Sequence, residues 1–155
     1  MGILLTARSW NAGALAIVAW LVAIVAGCGA DARPRESAMD SLVLPATWST
    51  AETVTRSGCV SLGDPMCPSV ARYLHASGSL VAALDDARKA FETAGFTVTG
   101  VLSPTCDAST SSARCTVRAT KGDLRADANL WPPGRDVDGQ GLAQPDVMTI
   151  RIVIR

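Results

Sequence analysis

Few residues in this chain are of the types that perform chemistry. His75 is the single histidine, and a Ser–His–Asp or Cys–His site would need it as the base. No Gly-x-Ser-x-Gly elbow accompanies it and the Ser-rich runs read as loops, so His75 reads as a structural residue. Asp85 and Asp86 are adjacent in a helical stretch. Neighbours on a helix point about 100° apart, so these carboxylates do not converge on one bond. Asp136-Val-Asp138-Gly139-Gln140-Gly141 matches a calcium-binding EF-hand loop at its first, third and sixth positions. It departs where Gln140 and Val147 stand at the fifth and twelfth, and no helix flanks it, so it reads as a hydrated loop without a metal. There is no phosphate-binding loop, no dinucleotide fingerprint and no basic–aromatic strip. The expectation is a chain without a catalytic residue or a cofactor.

Cys28 has a different setting. Ala12 to Ala26 is an uncharged run of 15 residues, with Arg8 and the amino group before it. A positive segment followed by an apolar one reads as an export signal. Val25-Ala26-Gly27-Cys28 resembles the lipobox of bacterial lipoproteins: an aliphatic residue, two small ones, then cysteine. The resemblance implies that residues 1–27 are a signal peptide. It further implies that Cys28 becomes the first mature residue and carries a diacylglyceryl thioether, placing the protein on the extracytoplasmic face of the cell membrane. Two acyl chains hold a protein on a bilayer where one barely does. The run itself falls just short of the roughly 17 to 25 residues of a spanning helix.

Without its first 27 residues the 155-residue chain keeps 128, with 13 basic and 14 acidic side chains. That is one domain's worth of chain. A balance near zero argues against nucleic acid as a partner and offers no polybasic run as a second membrane signal. Four cysteines remain: Cys59, Cys67, Cys106 and Cys115. An even remainder in an exported chain suggests disulfides. The local pairs Cys59–Cys67 and Cys106–Cys115 close at least entropic cost, each worth roughly 2.5 kcal/mol in the chain-entropy model. Gaps of seven and eight residues do not fit zinc knuckles.

The elements that would position these residues follow from periodicity. Residues 28–41, rich in charge and without an apolar period, read as the lipidated cysteine and a flexible tether, followed by one domain over 42–155. Glu52 to Arg56 is a short β-branched edge strand, and Val70 to Ala76 leans to a strand. Leu80, Ala83, Leu84, Ala87, Phe91 and Ala94 make one helical stripe, with Ser79 or Ser77 as N-cap, an Asp85–Lys89 pair and Gly95 as a left-handed C-cap. Strands follow over 96–102, 115–120, 124–130 and 148–154, with a tight turn at Lys121-Gly122-Asp123. The fold class expected is α+β: one main helix on an antiparallel sheet of about four strands (β-α-β-β-β), stapled by disulfides.

The lipobox, the Ala/Arg/Asp/Val-rich composition and the run Cys67-Pro-Ser-Val-Ala-Arg-Tyr before a helix ending Ala94-Gly95-Phe96 resemble the small lipoproteins of high-G+C Gram-positive bacteria. That resemblance implies no particular activity. The expectation is a non-catalytic interaction module of the cell envelope, with an envelope protein or cell-wall partner. The 16-residue loop Trp131 to Asp146 is the expected partner-facing element, through Trp131, Arg135, Asp136 and Asp138. A small-ligand or lipid carrier, with a pocket between helix and sheet, is the alternative.

Overall fold

Along Met148–Ile154 every second side chain is at most 1 % exposed: Met148, Ile150, Ile152 and Ile154. Strand alternation puts them on one face and Thr149, Arg151 and Val153 on the other. In the computed structural model, which describes residues 31–57, 68–102 and 114–155, this strand lies inside a larger sheet. The elements are α1 (Arg33–Asp40), β1 (Ser49–Arg56), β2 (Ser69–Ala76), α2 (Leu80–Thr93), β3 (Thr97–Leu102), β4 (Cys115–Lys121), β5 (Leu124–Trp131) and β6 (Met148–Ile154). The strands line up as β1-β2-β6-β5-β4-β3, and every neighbouring pair is antiparallel.

Among the described residues the expected one-helix, four-strand fold is therefore corrected to six strands and two helices. β1 is a full strand, paired with β2 from Ser49↔His75 to Arg56↔Ser69, because its Thr and Val residues suit a pleated edge. The edge strands β1 and β3 each carry an irregularity in register, at Thr50/Glu52 and Val98/Gly100, which blunts them against further pairing. Of the four cysteines expected to form the disulfide staples, the described residues contain one. No disulfide joins two described residues; Cys115, the one cysteine among them, is a half-cystine whose other half lies outside them. Cys59–Cys67, Cys106, the signal segment 1–27 and Cys28 also lie outside the described residues. Among the described residues no helix is long and apolar enough to cross a membrane.

Both helices cover the same face. α2 lies across β3, β4 and β5, and α1 across β2 and β6. Ser79 caps α2, its side chain accepting from the Ala82 N–H at 3.1 Å. At the other end Gly95 takes φ +80°, and the Phe96 N–H reaches back to the Phe91 carbonyl at 2.9 Å. This is the Schellman arrangement, and it sets the Phe96 ring 5.8 Å from that of Phe91. Phe91 is fully buried among Ala83, Ala87, Val117, Ala119, Ala126 and Ala128. Small side chains on the strands leave room for one large ring on the helix.

α1 replaces the expected tether. Pro34 sits in its first turn, where a missing N–H costs nothing. Ala38 and Met39 are buried, Asp40 accepts from Arg72 at 2.7 Å, and Thr55 donates to Glu36 at 3.2 Å. Among the described residues packing starts as early as Ala32, itself only 6 % exposed, ahead of residue 42. An eight-residue helix with two buried positions shows no period of its own; the sheet supplies its reason to form.

Candidate functional site on the open face of the sheet

The face away from the helices collects the polar half of each strand's alternation. β2 contributes Tyr73 and His75, β6 contributes Thr149 and Arg151, and β5 contributes Asp127, Asn129 and Trp131, as the register requires. The segment from Pro132 to Val147 folds back over part of this face. Val137, 3 % exposed, forms a second small apolar cluster with Tyr73 and Trp131. The segment is pinched at its base, where the Gly134 N–H donates to the Gln144 carbonyl at 2.7 Å.

Asp138 is the residue on which this covering turns. Its φ is +59°, and it is the only non-glycine residue with positive φ among those described; aspartate tolerates that region better than most side chains. The Tyr73 hydroxyl donates to its Oδ2 at 2.9 Å, and the Arg151 guanidinium forms an ion pair with the same oxygen. Arg151 also lies over the Trp131 ring, 5.8 Å from its centroid, with Arg114 at 6.0 Å. The loop carboxylate is thus tied to β2 and β6 at once, and Trp131 packs against two cations.

The positions expected to act separate into two groups. Trp131 is 9 % exposed, a packed side chain of the sheet face. Asp136 is bonded within its own loop, its Oδ1 accepting from the Gly141 N–H at 2.9 Å, while Asp138 is engaged by Tyr73 and Arg151. Both carboxylates of the calcium-loop resemblance are therefore engaged by groups of the protein itself. Arg135, Asp136 and Gln140 lie exposed on the outside of the loop. His75 holds the loop's far end, with Nε2 2.8 Å from the Leu142 carbonyl. A carbonyl only accepts, so Nε2 carries the proton there. Asp85, for its part, is held on the outer face of α2 by Lys89 at 2.7 Å and Arg88 at 2.6 Å. Lys89 first and Arg88 second keep its carboxyl below the ordinary range.

Two clefts open on this face. One of about 260 Å³ lies between the loop and strands β1, β2 and β6, lined by Val54, Arg56, Ser69, Tyr73, Asp138 and Arg151 among others. The other, about 360 Å³, lies over β3 to β6, lined by Thr99, Arg118, Thr120, Arg125, Asp127 and Arg155 among others. In it Asp127 is shared, ion-paired with Arg155 and 3.5 Å from Arg118. Beside it the Thr116 hydroxyl donates to the Asn129 side-chain carbonyl at 3.0 Å. Among the described residues no three His, Cys, Asp or Glu side chains group as metal ligands would. The roles of Tyr73, Arg151 and Asp127 were not read from the sequence. Their signal was present, as charged or aromatic side chains at every second position of an otherwise apolar strand, but it does not say which face a loop will cover.

Burial, and next the hydrogen bond to Asp138, push the Tyr73 phenol above its ordinary pKa of 10.0. A raised phenol means the fold keeps its proton after the unfolded chain has lost it. The stabilisation is therefore complete below the ordinary value and disappears as pH rises through the folded one. Tyr73 is the only tyrosine, so tyrosinate absorbance reads this group alone. The expected result is ionisation above the ordinary value, coupled to faster proteolysis of the loop. Titration at or below that value would show that the hydroxyl does not hold Asp138.

Comparison with protein-family models, curated proteins and solved structures finds no match to the chain.

Proposed function

We propose that the chain works as a membrane-anchored extracytoplasmic lipoprotein, a non-catalytic interaction module of the cell envelope. Its partner-facing surface is the loop-covered face of the sheet. The observation that carries this is the loop itself. Tyr73, His75 and Arg151 hold it at Asp138 and Leu142, leaving Arg135, Asp136 and Gln140 outward on a fixed base. A pre-set loop loses little freedom when it binds. The anchor rests on the uncharged run Ala12 to Ala26 and on Cys28.

A lipid carrier has less support. The face of α2 toward the sheet is filled by Ala83, Leu84, Ala87 and Phe91. The cleft of about 230 Å³ beside α1 is lined by Glu36, Asp40, Thr53, Thr55 and Arg72 beside Met39 and Val70, a lining too polar for an acyl chain.

Deleting the loop would uncover Tyr73 and Trp131, so the test places a probe instead. A photoreactive side chain at Arg135 should give envelope-specific protein or cell-wall adducts in intact cells. The same probe at Val81, exposed on the outer side of α2, should give none. Equal adducts from both positions would move the binding surface elsewhere, and adducts of lipid alone would favour the carrier.

A further inference from the structure

The topology brings one end of the sheet together with the point where the chain enters the fold. β1, β4 and β6 finish at this end while β2, β3 and β5 begin there, as Arg56↔Ser69, Val70↔Ile154, Lys121↔Leu124 and Thr97↔Thr120 show. α1 starts there too: Glu36 meets Thr55, and Asp40, one turn on, meets Arg72 further in. The residues gathered at this rim are far apart in sequence. Arg33 and Arg35 come from α1, Arg56 from β1, Lys121 and Arg125 from the β4–β5 hairpin, and Arg155 follows β6, with Arg118 one row inward. The acidic residues here are Asp31, Glu36, Asp123 and Asp127. Arg33 is met by Asp31, and Arg118 and Arg155 share Asp127. Among the described residues the rim therefore carries seven basic against four acidic side chains, an excess of three, while residues 28–155 together carry 13 against 14.

The geometry points to this rim as a surface that lies against the anionic headgroups of the bilayer, an inference that rests on the anchoring of Cys28 proposed above. Four residue steps lead from Cys28 to Ala32, and at about 3.5 Å each they reach at most about 14 Å. With the expected tether replaced by a packed helix, the lipid cannot hold the domain at a distance. The end of the sheet nearest the membrane is the basic one, within about one to two screening lengths of the surface. His75, with the Leu142 end of the loop that it holds, and the Trp131 end of β5 then lie at the far end of the sheet from the bilayer, where a partner can reach them.

The two lysines of the chain make the test. Lys121 is on the rim; Lys89 is on the outer face of α2 with its side chain 61 % exposed. The full chain, lipidated in cells and reconstituted, is acylated with an amine reagent on phosphatidylcholine vesicles and on vesicles half phosphatidylglycerol. The expected result is that Lys121 reacts several-fold more slowly on the anionic vesicles while Lys89 reacts equally on both. High salt, or the exposed replacements Arg33→Glu with Arg125→Glu, should remove the difference without releasing the protein from either vesicle. Equal reactivity of Lys121 on both vesicles, or protection that survives the charge reversal, would overturn the inference while leaving the anchor in place. Failure of the chain to float with the neutral vesicles would overturn the anchor and the inference with it.

Discussion

Phe91→Ala is expected to lower the unfolding free energy by about 3–5 kcal/mol, the range for removing a buried aromatic side chain and leaving a cavity. Phe91 is fully buried and links α2 to the sheet and, through Phe96 at 5.8 Å, to the start of β3. The core cluster it belongs to is rich in alanine, Ala87, Ala119, Ala126 and Ala128 among others, side chains too short to fill the space it would vacate. A domain of this size has roughly 5–15 kcal/mol in total, so the variant should be partly unfolded under mild heating. The measurement is the urea midpoint with an unchanged slope. Val81→Ala, at a position 53 % exposed, is the control and should stay within about 0.5 kcal/mol of the parent. A loss below 1 kcal/mol for Phe91→Ala would mean that α2 is not the main cover of the sheet.

Cys28→Ser is expected to abolish labelling of the protein by a fatty-acid probe and to leave the precursor at its full 155-residue length. Serine's oxygen cannot form the thioether on which two acyl chains would be carried. Each buried methylene contributes about 0.8 kcal/mol, so two acyl chains would hold the processed protein, whereas the unprocessed variant would be held only by the retained run Ala12 to Ala26. Cell fractionation with probe labelling checks it. Labelling that persists in the serine variant would remove the lipoprotein reading and leave Ala12 to Ala26 to be explained as an ordinary apolar anchor.

The sequence showed α2 almost to the residue, because each of its signals is local: the stripe from Leu80 to Ala94, Ser79 before it, and Gly95 after it. The strands were legible for the same reason, through alternation at Met148–Ile154 and Leu124–Trp131. α1 was not, since its two buried residues, Ala38 and Met39, become a buried face only when β2 and β6 lie beneath them. The site was legible in part. A long loop with Asp136 and Asp138 stood out, but Asp138 is tied to Tyr73, 65 residues away, and no local pattern announces such a pairing. The basic rim was least legible of all. Its arginines and lysine come from, or directly follow, five separate elements, and a total charge near zero conceals a separation of charge that only strand order creates.

The place of β6 in the sheet has a consequence for how the chain acquires its shape. It lies between β2 and β5, yet it follows all the other strands in the sequence. Until it arrives, the ladder β1-β2 and the ladder β5-β4-β3 have no common edge, and the layer beneath α1 and α2 is divided in two. A chain emerging in vectorial order, from a ribosome or through a translocation pore, therefore passes through most of its length as two unjoined pieces. The last step is then the insertion of a single apolar strand into a waiting slot, a non-local closure of the slow kind. Until that moment the polypeptide stays loose enough to be threaded.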